Sequence, residues 1–238
     1  MGWRIIDDRR RLYLLNQLGS HRGATNDEVR RAIAGDELVP EAMLETTHGV
    51  TINAPASAIW PWLLQVRYHR GGWYADSKIS EFLFKYLFEP MAPQDKKPEY
   101  RPSANHIMPE FQELQVGDIV PDGPPDTVSF VVKAVEPNRQ IVLYTDQYHR
   151  AIVPDPVSAS WFQHTSAFSW VFALKDSQPG ETRLLLRARI SIWPRVVFLA
   201  LWLPLILGES LFPHLMLNGI KQRVELAAAT PDLDYRSD

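Results

Sequence analysis

The chain predicts an α+β domain in which a curved antiparallel sheet wraps around a long C-terminal helix, preceded by an N-terminal helical extension. Three observations carry this expectation. Two stretches in the middle of the chain alternate with period two on either side of short turns, the C-terminal segment carries a helix-period apolar stripe, and no segment repeats.

Residues 1–42 form the extension. Ile5, Ile6, Leu12, Leu15 and Leu18 can share one stripe, and Thr25-Asn26-Asp27-Glu28 reads as a capping box opening a helix that runs through Ala34 and stops at Gly35. Residues 43–230 form the main domain, and 231–238 a tail. A first strand is predicted over 44–53, where Thr46, Thr47, Val50, Thr51 and Ile52 raise the β-branched content. Ala54-Pro55-Ala56-Ser57 opens a helix bearing Ile59, Trp60, Leu63 and Leu64, and Gly71-Gly72-Trp73-Tyr74 is a turn carrying two large rings. Residues 77–88 predict an amphipathic helix with Ile79, Phe82, Leu83, Tyr86 and Leu87, and the Pro-rich, charged stretch 89–105 a surface loop. A short strand follows at 116–120.

Two hairpins come next. One pairs 127–135 with 141–145 across Glu136-Pro137-Asn138-Arg139, and the other pairs 168–174 with 183–192 across Gln178-Pro179-Gly180. In the second, Phe168, Trp170, Phe172 and Leu174 share a dry face with Leu184, Leu186, Ala188, Ile190 and Ile192. Arg183, Arg187 and Arg189 take the other face, which alternation predicts to be wet. At about 100° per residue from Pro213, Leu215, Met216, Gly219, Ile220, Val224 and Ala227 fall on one arc. His214, Asn218, Lys221, Gln222 and Glu225 fall opposite.

Composition excludes several function classes. Net charge is −3, and the small basic clusters at Arg9-Arg10-Arg11 and Arg30-Arg31 read as solvated helix faces, so no nucleic-acid partner is expected. Cysteine is absent, which removes disulfides and thiolate chemistry and agrees with a cytoplasmic location. Ile5-Ile6 is followed at once by Asp7-Asp8, so no signal-peptide core forms. The apolar run 196–207 is broken by Pro204 and falls short of the roughly 20 residues a spanning helix needs. Its extension to 217 takes in Glu209 and His214, and leaves peripheral membrane contact through 193–217 open.

Thr51-Ile52-Asn53-Ala54-Pro55, Ala58-Ile59-Trp60-Pro61-Trp62-Leu63, Gly71-Gly72-Trp73-Tyr74, Leu114-Gln115-Val116-Gly117-Asp118 and Leu217-Asn218-Gly219-Ile220-Lys221-Gln222-Arg223 follow one another in a telling order. In these motifs the chain resembles the START-like superfamily of helix-grip proteins, in its SRPBCC or polyketide cyclase/dehydrase-like branch, over about residues 35–229. The resemblance implies a deep cavity between sheet and last helix for a lipid-, polyketide- or terpenoid-like ligand. It implies no single reaction, because carriers and cyclases share the fold.

No metal-ligand spacing occurs among the seven histidines, and no nucleophile elbow, GxGxxG or P-loop is present, so neither metal nor cofactor is expected. Candidate ligand-binding residues are Trp73, Tyr74, Tyr144, Phe168, Trp170, Phe172, Met216 and Arg223. Candidate acids and bases are Tyr74, Asp76, His106, Glu110, Tyr144, His149 and Glu209. Arg223 falls near the centre of the apolar arc, where a charge must reach water, pair with a carboxylate or meet an anionic ligand head; pairing within the protein is the favoured reading. Three functions follow: binding of an apolar small molecule, a cyclase or dehydratase using the same cavity with one acid or base, and membrane association.

Overall fold

The computed structural model describes residues 21–83, 85–86, 101–123, 128–148 and 165–229. The stripe expected over 5–18, the loop residues 89–100, His149 and the tail lie outside them. Six strands form one antiparallel sheet: β1 (Leu44–Ile52), β2 (Ile119–Pro121), β3 (Ser129–Glu136), β4 (Gln140–Thr145), β5 (Thr165–Gln178) and β6 (Glu181–Trp193), in the order β1-β6-β5-β4-β3-β2. The helices are α1 (Asn26–Arg30), α2 (Ala56–Leu64), α3 (Lys78–Leu83) and the long α4 (Arg195–Ala229), with 3-10 turns at Asp36–Leu38 and Pro109–Phe111. This is the helix-grip arrangement, with α4 packed against β1, β6 and α2.

The long hairpin has the expected register. Phe168 pairs with Ile190, Trp170 with Ala188, Phe172 with Leu186 and Leu174 with Leu184. Phe168, Trp170 and Phe172 are all buried, as are their partners on β6. Burial of such rings typically stabilises by about 1.5–3 kcal/mol each, so this face dominates the core.

The outer face corrects an expectation. Arg187 is only 2% exposed rather than solvated, and the side chains of Arg183 and Arg189 are 16% and 15% exposed. The N-terminal segment lies across them. Arg187 donates to Asp36 Oδ2 at 2.8 Å, to Thr47 Oγ1 at 3.1 Å, and to the carbonyls of Glu28, Val29 and Arg31. Arg183 pairs with Glu28 at 2.8 Å, and Arg189 with Glu45. The same clamp explains why α1 stops at Arg30 instead of continuing to Ala34. A helix end leaves carbonyls without intrahelical donors, and here a guanidinium supplies them. The capping box at its start forms as expected, with Glu28 N donating to Thr25 Oγ1 and Thr25 N to Glu28 Oε2. Gly35, at φ +93°, seats the next turn against Val142 and Val171, where a Cβ would collide with both.

α3 is described over Lys78–Leu83, and Phe82 and Tyr86 are exposed with their rings 4.7 Å apart instead of being buried on an apolar stripe. In α4, Met216, Ile220 and Val224 are buried as the arc requires, while Ala227 is exposed because the last turn is in solvent. No helix among the described residues is long and apolar enough to cross a membrane.

Candidate functional site

Past the end of α2 the chain makes a tight turn in which Arg67 N donates to Gly72 O at 2.9 Å and Gly72 N to Arg67 O at 3.2 Å. Arg67 itself sits at φ +131°, a conformation that a residue with a Cβ adopts only under strain. That turn drives the Arg67 side chain inward, where it is 1% exposed. Its guanidinium carbon lies 3.9 Å from the centroid of the Trp170 ring, 5.0 Å from those of Trp73 and Phe130, and 5.9 Å from that of Phe172. Rings stacked on the cation attract it through their quadrupoles, but they offset only part of the cost of removing a guanidinium from water.

Carboxylates enter from two other elements. Asp122, directly after β2, faces Arg67 Nη1 at 3.4 Å. Glu209, from the middle of α4, is buried and lies in the field of both Asp122 and Arg67. Burial pushes the Asp122 carboxyl up to about 7, against the pull of Arg67. Burial and the Asp122 charge push Glu209 up to about 8, with Arg67 and the nearby Trp170 indole N–H acting the other way. Near neutral pH, therefore, Glu209 is mostly protonated, Asp122 is shared between its two forms, and Arg67 stays charged. Tyr148, just after β4, is half-buried in the field of both carboxyl groups, and desolvation raises its phenol well above the ordinary value.

The cluster is incompletely bonded. Arg67 Nε and Nη2 and Glu209 Oε2 are buried and close no hydrogen bond. Unfilled buried donors each cost about 1–3 kcal/mol, so this arrangement is not the one that stability alone would favour.

The position of Glu209 is set by its backbone. Its carbonyl would ordinarily receive the N–H four residues on, but that residue is Pro213, which has none. His48 of β1 supplies the missing donor, with Nε2 2.7 Å from the Glu209 carbonyl oxygen. Burial holds the His48 imidazole down to about 4, so it is neutral with its proton on Nε2.

Of the residues expected from sequence, Trp73, Phe168, Trp170 and Phe172 gather at this cluster. Trp73 lies 6.0 Å from Trp170 and 5.6 Å from Phe212 of α4, and Phe168 lies 5.2 Å from Phe130. Met216 is fully buried in the core under α4. Tyr144 does not join them. It pairs with Ser169, one residue out of phase with Trp170, and so points to the opposite face, near Lys133. Tyr74 and Arg223 form a second, separate group. Tyr74 is buried, its hydroxyl accepts from Gln65 Nε2 at 2.8 Å, and its pKa is pushed up to about 12 by burial. Arg223 is half-buried against the Tyr74 ring and pairs with Asp76 at 2.7 Å, while Nε donates to the Ala104 carbonyl at 2.8 Å. Pairing within the protein is thus what the guanidinium finds. His106 and Glu110 are exposed, and Asp76 is occupied by Ser103 and Arg223. Among the described acid–base candidates, Glu209 is the one that reaches the cluster.

Sequence reasoning missed Arg67, Asp122 and Tyr148. For the first, the available signal was an arginine three residues past the apolar run 59–64 and shortly before Gly71-Gly72. Asp122 stands in Pro121-Asp122-Gly123-Pro124, which reads as a turn.

No family model matches the chain, and no curated protein matches it. Among solved structures it is similar to a protein from Mesorhizobium loti at 13% identity, covering 76% of this chain and 97% of that one with a TM-score of 0.39. It is likewise similar to CalU16 from Micromonospora echinospora at 13% identity, covering 78% and 86% with a TM-score of 0.30. A protein from Arthrobacter aurescens matches at 13% identity over 88% and 99%, with a TM-score of 0.39.

Proposed function

We propose that the chain binds an apolar small molecule between the inner face of the sheet and α4, in the manner of START-like, SRPBCC-branch proteins. One observation carries this reading: a fully buried guanidinium is walled by aromatic rings and left with open hydrogen-bonding capacity. A core built only for stability would favour apolar residues there, since replacing buried ions with well-packed hydrophobes is commonly neutral or stabilising. The ring walls supply the apolar surface such sites use, and the charged cluster supplies the few polar groups that orient a ligand. The box is closed around Arg67 in this structure, so binding requires the rings to part.

A second reading draws on a different observation. Asp122 and Glu209 titrate near neutrality, which is where a proton donor or acceptor works best, so the same site suits a cyclase or dehydratase.

The binding reading is tested with N-phenyl-1-naphthylamine, an uncharged apolar dye, titrated into the protein. Saturable enhancement at one dye per chain, with energy transfer from tryptophan, supports it. Emission equal to that with an unrelated folded protein overturns it. Native mass spectrometry of gently purified protein then identifies what is carried along.

A further inference from the structure

The unfilled atoms of Arg67 are not scattered. Nη1 faces Asp122, while Nε and Nη2, which together make one straight edge of the guanidinium, are both buried and unbonded. Trp170, Trp73, Phe130 and Phe172 stand around the cation, with Trp170 the nearest ring. A planar fork edge with two parallel N–H groups matches a planar group with two acceptor oxygens at the same spacing. We propose that the ligand carries a carboxylate, gripped side-on by the Nε and Nη2 edge of Arg67, with its hydrocarbon part among Trp73, Phe130, Trp170 and Phe172. This rests on the binding reading above and narrows it to one ligand class.

Two comparisons favour a carboxylate over other head groups. An alcohol or ketone offers one oxygen and leaves half of the fork edge unpaired in a dry site. A phosphate brings up to two negative charges beside Asp122 and Glu209, against the single charge of Arg67. A carboxylate brings one, and the site can neutralise the rest because burial already leaves Glu209 mostly protonated near neutral pH. The protonated Glu209 then offers an O–H donor where an ionised neighbour would repel.

Competition against bound N-phenyl-1-naphthylamine at neutral pH tests this, using decanoate, decanol and decyl phosphate as probes of one chain length. Decanoate is expected to displace the dye at a concentration at least about tenfold below either of the others. Equal potency of decanoate and decanol, or failure of decanoate to displace the dye, overturns the proposal while leaving dye binding intact. Absence of dye binding sinks the parent reading instead. In Arg67→Met, the ratio of decanoate to decanol potency is expected to fall to about one, and a ratio still at or above about ten overturns the proposal. Arg67→Lys keeps the charge but lacks the planar fork, so it is expected to lose at least about tenfold for decanoate. Retained preference in the lysine variant overturns side-on recognition, and the wild-type series stands alone should either variant fail to fold.

Discussion

Two arginines separate binding from stability. Arg67 is fully buried with two unbonded donors and one carboxylate partner, so replacing the pair together, Arg67→Met with Asp122→Leu, should leave stability unchanged or raise it by about 1–3 kcal/mol, measured by urea unfolding at constant slope. A loss of that size would show that the pair serves the fold. Arg223 holds a carboxylate and two carbonyl oxygens, and Arg223→Ala should cost more than about 1.5 kcal/mol in the same experiment. Legibility at this scale was uneven. The charge on the apolar arc at 223 marked a pairing that the structure contains, and Glu209 stood out as a carboxylate inside an apolar helical run. Arg67 and Asp122 meet across 55 residues of sequence, and no local pattern links a residue after one helix to a turn after a short strand. Tyr144 was misplaced because its strand is buried on both faces, so apolar residues gave no alternation to mark the side it takes.

At the level of elements, α4 is fixed by two contacts that its own sequence only half discloses. Its carbonyl at Glu209 depends on His48 because Pro213 offers no N–H. His48→Ala should therefore cost about 2–3 kcal/mol, part of which His48→Gln recovers by restoring a donor; equal losses in the two would discount the hydrogen bond. Farther along, Gly219 sits where any Cβ would strike the Tyr74 carbonyl oxygen, so the helix and the turn touch backbone to backbone. Gly219→Ala should lower stability by about 1–3 kcal/mol despite alanine's better helix propensity, which thermal melting would reveal. The hairpins and first strand were legible because period two and turn residues are local signals. α1 was overestimated because Arg187, 156 residues away from Arg31, decides where it ends.

For the molecule as a whole, the buried acids set a pH dependence opposite to the usual one for carboxylates. Folded Glu209 keeps its proton up to about pH 8, whereas its ordinary value is 4.5. Between those values the unfolded chain binds fewer protons than the folded one, so this group lowers stability as pH rises. Glu209→Gln should match the wild type near pH 4 and exceed it by about 4 kcal/mol at pH 8, as read from denaturant midpoints. Identical pH profiles would mean that Glu209 is ionised in the folded protein. The exposed Trp193, Val196, Leu199 and Leu207 lie on or beside the first half of α4, yet no described helix is both long and apolar enough to cross a membrane. Protein made without detergent is expected in the supernatant after high-speed centrifugation, and recovery only in a carbonate-resistant pellet would promote the membrane reading.

The clamp on the outer face has an evolutionary corollary. Arg183 and Arg187 are held by Glu28 and Asp36, and Arg189 by the carbonyls of Val39 and Pro40, so the strand and the segment before β1 cannot drift independently. Relatives that lack the segment should carry small or neutral residues at the three arginine positions, and charge reversals should occur as matched pairs. Single reversals would leave like charges facing each other across a buried seam, and selection should purge them.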